Sequence, residues 1–206
     1  ESFPLFGFDI SDYQELFEEK LAMFVALRRQ GPVTWDGTLT QSLDGVEVFP
    51  PVEKAPLQTW VAVGGSPESV IRAARHGLDL MLAIIGGSAD RFAPFAELHR
   101  RALEQLEQPP ARIGFHSFGH VAVTDEAAID QYYQPYVTSM SRIGRERGWR
   151  RPTRESFSYE LEHGSMAVGS PETVARKIAA GVKALGASRF SMKVSTGPMS
   201  HELITS

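Results

Sequence analysis

The stretch that decides the fold is WVAVGGSPES, residues 60 to 69. Its apolar first half ends a segment, Leu57–Val63, whose length and composition are typical of a buried strand. Ser66 is a good helix N-cap, Pro67 suits the first helical position, and an acidic residue follows at the positive end of the helix dipole. We therefore predict one βα unit, a strand that leads directly into a helix from Ser66 to about His76.

The same alternation of strand and helix continues toward the C-terminus. Apolar runs predict further strands at Leu80–Ile85, within Arg112–Val123, and at Arg189–Val194. Capped, amphipathic runs predict helices at Asp90–Glu107, Asp125–Gly148 (broken or kinked at Pro135), around Thr153–Leu161, and Ser170–Leu185. Because alternating strands and helices form parallel α/β sheets, we expect the four strands to be parallel neighbours in chain order within one curved sheet. This pattern alone leaves a doubly wound sheet and a closed barrel open.

The N-terminal part is predicted to contain one amphipathic helix and an irregular insertion. Ser11 precedes acidic residues and an apolar helical periodicity, so we predict a helix over Ser11–Gln30 with Ser11 as its N-cap. Residues 33–56 are rich in Thr, Val, Gly and Pro, which favours an insertion with a short hairpin. We treat residues 1–206 as a single domain. Both ends lie within structured-looking sequence, so we expect the chain to be a piece of a longer one.

Composition excludes several classes of function. The chain has 206 residues, a formal charge of -4 and no cysteine, so thiolate chemistry and a disulfide framework are excluded. The negative net charge does not indicate a basic surface for nucleic acid, and no apolar run reaches the length of a membrane span. The one basic cluster is read as a solvated helix end, with an anionic partner as the alternative; it comprises Arg145, Arg147, Arg150, Arg151 and Arg154.

The glycine-serine turn after the first predicted strand is the candidate anion site. Gly64 and Gly65 allow a ligand to approach the backbone, and Ser66, Ser69 and the N–H groups of the first helical turn can hold a phosphate. Simple helix capping is the alternative interpretation. The similar stretch VGSPETV, residues 168 to 174, serves as a comparison; no convincing strand precedes it, so capping is favoured at Ser170.

Two histidines are candidate catalytic groups. His116 and His120 have the same parity in a predicted strand, so their side chains share one face and either can act as an acid, a base or a hydrogen-bond donor. They lie roughly 13 Å apart along the strand, too far to share a metal ion, and we expect no metal site. The sequence contains no GxSxG element, and the glycine turn lacks the third glycine of a dinucleotide-binding fingerprint.

Several segments, taken in order, resemble a known family. They are Phe6–Asp9 before the acidic helix, Trp60–Ser69 followed by Ala73–Leu78, Val168–Val174 with Gly186 and Phe190, and Gly197–Glu202. In order and spacing they are similar to the C-terminal portion of the bacterial-luciferase-like flavin-dependent monooxygenases. The resemblance implies a (β/α)₈ TIM barrel whose first four strands would precede Glu1.

The resemblance also implies an activity and a cofactor. It implies an enzyme, usually a homodimer, that uses reduced FMN from a flavin reductase and O2 to oxidise a small organic substrate. The absence of cysteine suits a cytoplasmic location. The family's phosphate contacts fall on Gly65, Ser66 and Ser69 here, and His120 matches a site-facing histidine of sulfonate-cleaving members. Phe118 replaces their nearby arginine, which argues against a sulfonate substrate. A deazaflavin (F420)-dependent oxidoreductase and a non-catalytic flavin-binding protein remain the alternatives.

Overall fold

The fold is described from a computed structural model that covers residues 3–54 and 57–205. The described residues belong to two compact units, Glu1–Thr59 and Trp60–Ser206. The smaller unit contains helix α1 and a hairpin, and the larger one contains a parallel sheet with its helices.

The smaller unit begins with short 3-10 turns that lead into α1, Tyr13–Arg28. The prediction that Ser11 caps this helix is wrong. Asp9 is the cap of the preceding turn, and its carboxylate accepts hydrogen bonds from the Ser11 N–H at 2.8 Å and the Ser11 hydroxyl at 2.7 Å. A carboxylate accepts two such bonds at once, so the helical path starts before Tyr13 as a tighter turn.

The predicted hairpin of the insertion is present. Strands β1, Val33–Trp35, and β2, Leu43–Val46, pair antiparallel with Val33 opposite Val46. Residues 55 and 56 of the insertion lie outside the described part of the chain.

The larger unit alternates strand and helix as predicted. Its strands are β3, Trp60–Val63; β4, Asp79–Ala83; β5, Ile113–Val121; β6, Ala167–Gly169; and β7, Arg189–Lys193. Its helices are α2, Pro67–Arg75; α3, Ala93–Gln105; α4, Asp125–Arg147; α5, Arg154–His163; α6, Pro171–Leu185; and α7, His201–Thr205. Helix α4 is continuous through Pro135.

Every strand pair of this unit is parallel, which confirms the expected parallel α/β sheet. β3 pairs with β4, β4 with β5, and β5 with β7, in chain order. The short strand β6 was not predicted; it pairs with β5 over Gly119–Val121. A strand therefore does precede Ser170, and the prediction that none does is wrong. Three residues are too few to give a strand pattern in the sequence.

The two faces of the sheet differ in burial. On one face Val63, Leu82 and Phe115 are adjacent in register and at most 2% exposed, and α6 packs against Phe115. On the other, open face Ala62 is exposed, and Ala83 and His116 are partly exposed. The sheet therefore has one face covered by helices and one open face. The carboxyl ends of its strands border the open face.

Candidate functional site

A cleft of about 490 Å³ lies at the carboxyl edge of β3 and β4. The loops after these two strands form one side, and residues of α4, α5 and the α4–α5 connection form the other. Its lining comprises Gly64, Ala83, Ile85, Gly86, Phe92, Tyr136, Met140, Arg147, Trp149 and Glu160. This edge is where enzymes with parallel α/β sheets bind their ligands.

The predicted glycine turn reaches this cleft. Gly64 follows β3 directly, lines the cleft and is exposed. Gly65 has φ +122°, a backbone conformation that side chains rarely allow, and the nearest atom to a Cβ there would be Cζ of Phe95 at 3.9 Å. A Cβ on Gly64 would meet nothing within 4 Å. The turn therefore leaves its backbone open to a ligand.

The two serines lie on the first turn of α2 and bond within it. The Ser69 N–H donates to the Ser66 hydroxyl oxygen at 3.3 Å, and the Ser66 hydroxyl donates to the Glu68 carboxylate at 2.8 Å. Bonds from its own backbone N–H and from Ser66 lower the pKa of Glu68. Arg72 donates to the Ser69 hydroxyl at 3.5 Å. Ser66 is therefore a helix cap here, and an anion at this turn would displace the Glu68 carboxylate.

At the second copy of the motif, the N-terminus of α6 is bonded to a carboxylate from another helix, which, among the described residues, is not so at the N-terminus of α2. Ser170 caps α6, accepting from the Thr173 N–H at 3.4 Å. The carboxylate of Asp125, from the start of α4, accepts from the Ser170 N–H at 2.6 Å and from the Thr173 hydroxyl at 3.0 Å. A protein carboxylate therefore occupies the anion position of α6, and the capping interpretation at Ser170 is confirmed.

The two histidines lie in different surroundings. His116 is partly exposed on the open face, and its register neighbour on β4 is the cleft residue Ala83. Burial lowers the pKa of His116, the charge of Lys193 lowers it further, and a hydrogen bond to the Ser191 backbone opposes both. His116 is therefore neutral near pH 7, the form able to accept a proton.

Like His116, His120 is not among the residues that line the cleft. It is 3% exposed, its Nε2 lies 2.7 Å from Oε1 of Gln131, and its ring stacks on Tyr132 with centroids 5.9 Å apart. Gln131 and Tyr132 both belong to α4, which covers this end of β5. The shared parity with His116 does not bring the two rings to one surface.

The residues that form the far wall of the cleft were not predicted from the sequence. Glu160 on α5 accepts from the Gly87 N–H at 3.0 and 3.1 Å and so fixes the loop after β4. Burial, with the nearby charge of Glu160, raises the pKa of Tyr136 to about 12. Trp149 follows the left-handed Gly148 that ends α4. The sequence signal that could have indicated this wall is Trp149, an aromatic residue within the arginine cluster at the end of a helix.

The described residues, 3–54 and 57–205, contain no group of three or more His, Asp or Glu side chains placed to hold a metal ion. Within the same residues no helix is both long and apolar enough to cross a membrane.

Solved structures similar to this chain include two monooxygenases and one F420-dependent dehydrogenase. The monooxygenase RslO1 from Streptomyces bottropensis has a TM-score of 0.79 and 21% identity, over 98% of this chain and 60% of that chain. The oxygenating constituent of 3,6-diketocamphane monooxygenase from Pseudomonas putida, in complex with FMN, has a TM-score of 0.57 and 18% identity, over 87% and 56%. An F420-dependent secondary alcohol dehydrogenase has a TM-score of 0.63 and 14% identity, over 89% and 56%.

These likenesses show the fold, a luciferase-like TIM barrel of which this chain spans about three fifths. A comparison with curated proteins found no match. The family of luciferase-like monooxygenases matches residues 1–189, nearly the whole chain. The chain therefore belongs to the luciferase-like monooxygenase family.

Proposed function

We propose that this chain is part of a monooxygenase that uses reduced FMN and O2 to oxidise a small organic substrate. The observation that carries the proposal is the N-terminus of α2, which lies beside the cleft at the carboxyl edge of the sheet and is bonded to the exposed Glu68 carboxylate of its own first turn. The otherwise similar N-terminus of α6 is filled by Asp125. The carboxylate at α2 is exposed and belongs to the same turn, whereas the one at α6 comes from another helix, which supports the first copy as the phosphate site.

The residues at α2 fit a phosphate in three respects. Gly64 and Gly65 expose backbone that no side chain covers, and Ser66 and Ser69 place hydroxyl groups on the same turn. The positive end of the helix dipole favours an anion there. Reduced flavin, when bound, supplies the electrons that activate oxygen for insertion into an organic substrate. The protein's part is to bind, orient and exclude water.

His116, next to the cleft on β5, is our candidate for moving a proton. It is neutral near pH 7, partly exposed, and adjacent in register to a residue that lines the cleft. His120 stays a prediction; its bond to Gln131 gives it a packing role in the described structure and favours His116 over it.

Two alternatives remain within the same fold. A deazaflavin-dependent oxidoreductase would transfer hydride without using oxygen. A flavin-binding protein without activity would catalyse neither hydride transfer nor oxygenation. The absorption spectrum of the bound cofactor separates FMN from deazaflavin, and oxygen consumption with reduced FMN separates the enzyme from the binder. A flavin reductase as the source of reduced FMN, a homodimer and a cytoplasmic location complete the proposal.

Replacing Ser66 with alanine tests the phosphate assignment. A hydrogen bond to a charged group contributes about 1.5–3 kcal/mol, so Ser66→Ala should weaken FMN binding by roughly tenfold to a hundredfold. Riboflavin lacks the phosphate and should bind variant and parent alike. Both dissociation constants are measured by flavin fluorescence quenching. If Ser66→Ala weakened the binding of both ligands equally, Ser66 would act only as a helix cap and the phosphate would not bind at this turn.

A further inference from the structure

The wall of the cleft that faces the strand ends combines apolar surface with the hydroxyl group of Tyr136. Tyr136 and Met140 on α4 are buried, and Phe92 lies in the turn before α3. Trp149 is 45% exposed and Ile85 is 42% exposed, so both keep apolar surface open. Because covering such surface is favourable, the wall is suited to a largely apolar ligand.

Three neighbouring rings hold the Tyr136 ring in place. It lies edge-on to Phe118 with centroids 6.2 Å apart, stacks on Tyr132 at 6.1 Å, and is tilted against Phe157 at 5.2 Å. The side chain is only 7% exposed. A side chain packed in this way has little rotamer freedom left to lose when a ligand binds, so the Tyr136 hydroxyl is positioned in advance.

The Tyr136 hydroxyl is available for a ligand. No hydrogen bond joins it to any residue within 3–54 and 57–205. The fully buried side-chain polar atoms of this part of the chain that lack a partner belong to other residues, so the Tyr136 hydroxyl keeps some accessible surface. Because Tyr136 lines the cleft, a ligand there can supply the partner that a nearly buried hydroxyl needs.

The charges around Tyr136 favour a neutral partner. Burial first, and then the charge of Glu160, raises the pKa of Tyr136 to about 12, so at neutral pH the hydroxyl is protonated and able to donate. Both Glu160 oxygens accept from the Gly87 N–H instead of from Tyr136. The negative charge that opposes ionisation of Tyr136 equally opposes an anionic ligand atom beside its hydroxyl. The acceptor that fits is an uncharged oxygen.

We propose that the cleft takes a neutral, largely apolar molecule and that the Tyr136 hydroxyl donates a hydrogen bond to its carbonyl oxygen. Tyr136 is then a specificity-determining residue. That this molecule is the substrate rests on the proposed monooxygenase function, whereas the recognition itself follows from the wall and its hydroxyl.

The test uses acetophenone and 2-phenylpropene, two ligands of nearly the same shape of which only the first has an acceptor oxygen. Their binding to the full-length protein is measured by ligand-observed NMR titration. Tyr136→Phe should weaken acetophenone by about twofold to tenfold, as expected for one hydrogen bond between neutral groups, and should not weaken 2-phenylpropene. Trp149→Leu should weaken both ligands. Benzoate should bind the parent more weakly than acetophenone does.

Tyr133→Phe is the matched control. Tyr133 lies on the same helix and packs against the same Phe157 ring, but it does not line the cleft. Removing its hydroxyl should leave the affinity for acetophenone and for 2-phenylpropene unchanged.

Three results would overturn the inference. They are an equal change for acetophenone and 2-phenylpropene in Tyr136→Phe, a selective loss of acetophenone in Tyr133→Phe, and benzoate binding as tightly as acetophenone. The dissociation constant for FMN is measured in parallel for each variant. Normal FMN binding without an effect of the Tyr136 hydroxyl on acetophenone would reject the carbonyl site alone. A selective effect on acetophenone without FMN binding would reject the flavin proposal and leave the carbonyl site in place.

Discussion

Replacing Gly181 with alanine sets two effects of opposite sign against each other. Gly181 is buried inside α6, where alanine is the better helix former by about 0.8–1 kcal/mol. Helix propensity alone therefore predicts that Gly181→Ala stabilises the protein. In the structure, however, a Cβ at this position would lie 2.6 Å from Cζ and 2.9 Å from Cε2 of Phe115 on β5. Real Cβ atoms do not approach other atoms this closely.

The Phe115 ring has little room to move away. It is 2% exposed, and its centroid lies 4.7 Å from that of Phe190 on β7. Adding a methyl group to a filled core costs about 1–3 kcal/mol. After subtracting the gain in helix propensity of about 1 kcal/mol, we expect Gly181→Ala to lower the free energy of unfolding by about 1 kcal/mol. The packing effect therefore exceeds the propensity effect.

Urea unfolding followed by circular dichroism measures the change, as a lower midpoint at unchanged slope. The control is the same substitution in a Phe115→Leu background, where the smaller side chain leaves space for the methyl group. There Gly181→Ala should be neutral or stabilising, so that the two substitutions are coupled. A Gly181→Ala variant more stable than the parent, or an equal effect in both backgrounds, would refute the close packing of α6 on β5.

Two further predictions concern pH. His99 is fully buried, its Nε2 donates to the Leu78 carbonyl at 3.0 Å, and burial is the main cause that lowers its pKa. The unfolded chain therefore binds a proton at His99 more tightly than the folded chain does, so the free energy of unfolding should decline as the pH falls below about 6.5. Urea unfolding at several pH values measures this decline, and His99→Met should make it smaller. For Asp125, the bond from the Ser170 N–H is the main cause that lowers the pKa, so its contribution is present above about pH 4 and is lost below. Asp125→Asn should lower the unfolding midpoint at neutral pH and weaken the acid-side decline; an unchanged midpoint would contradict the role of Asp125 at α6.

The sequence predicted the parallel sheet because its signals there are local. An apolar run such as Leu80–Ile85 and a cap such as Ser66 before Pro67 act within a few residues, and both gave elements close to the observed β4 and α2. The Asp9 cap was missed because serine and aspartate are both good caps, and the short turn that Asp9 caps lies before the predicted start of the helix.

The surroundings of the candidate residues were harder to predict because they depend on distant contacts. β6 exists as a strand only through its pairing with the end of β5. The same-face argument for the histidines held for the backbone of β5, but α4 covers His120 and leaves His116 partly exposed. The sequence pattern of β5 does not predict where the helix that follows it will pack.

The two copies of the serine-proline-glutamate motif show what a local motif determines and what it leaves to the fold. In both copies the serine caps a helix, because capping needs only the residues of one turn. Anion binding needs in addition an open approach to the first N–H groups, and residues far away in sequence control that approach. Asp125 lies 45 residues before Ser170 and fills the site at α6, whereas the only carboxylate bonded to the Ser66 cap among the described residues is the exposed Glu68 of the same turn. An exposed side chain turns away at small cost, while the Asp125 carboxylate is held by two bonds between helices. We therefore expect the first copy, rather than the second, to exchange its own carboxylate for an anion of a ligand.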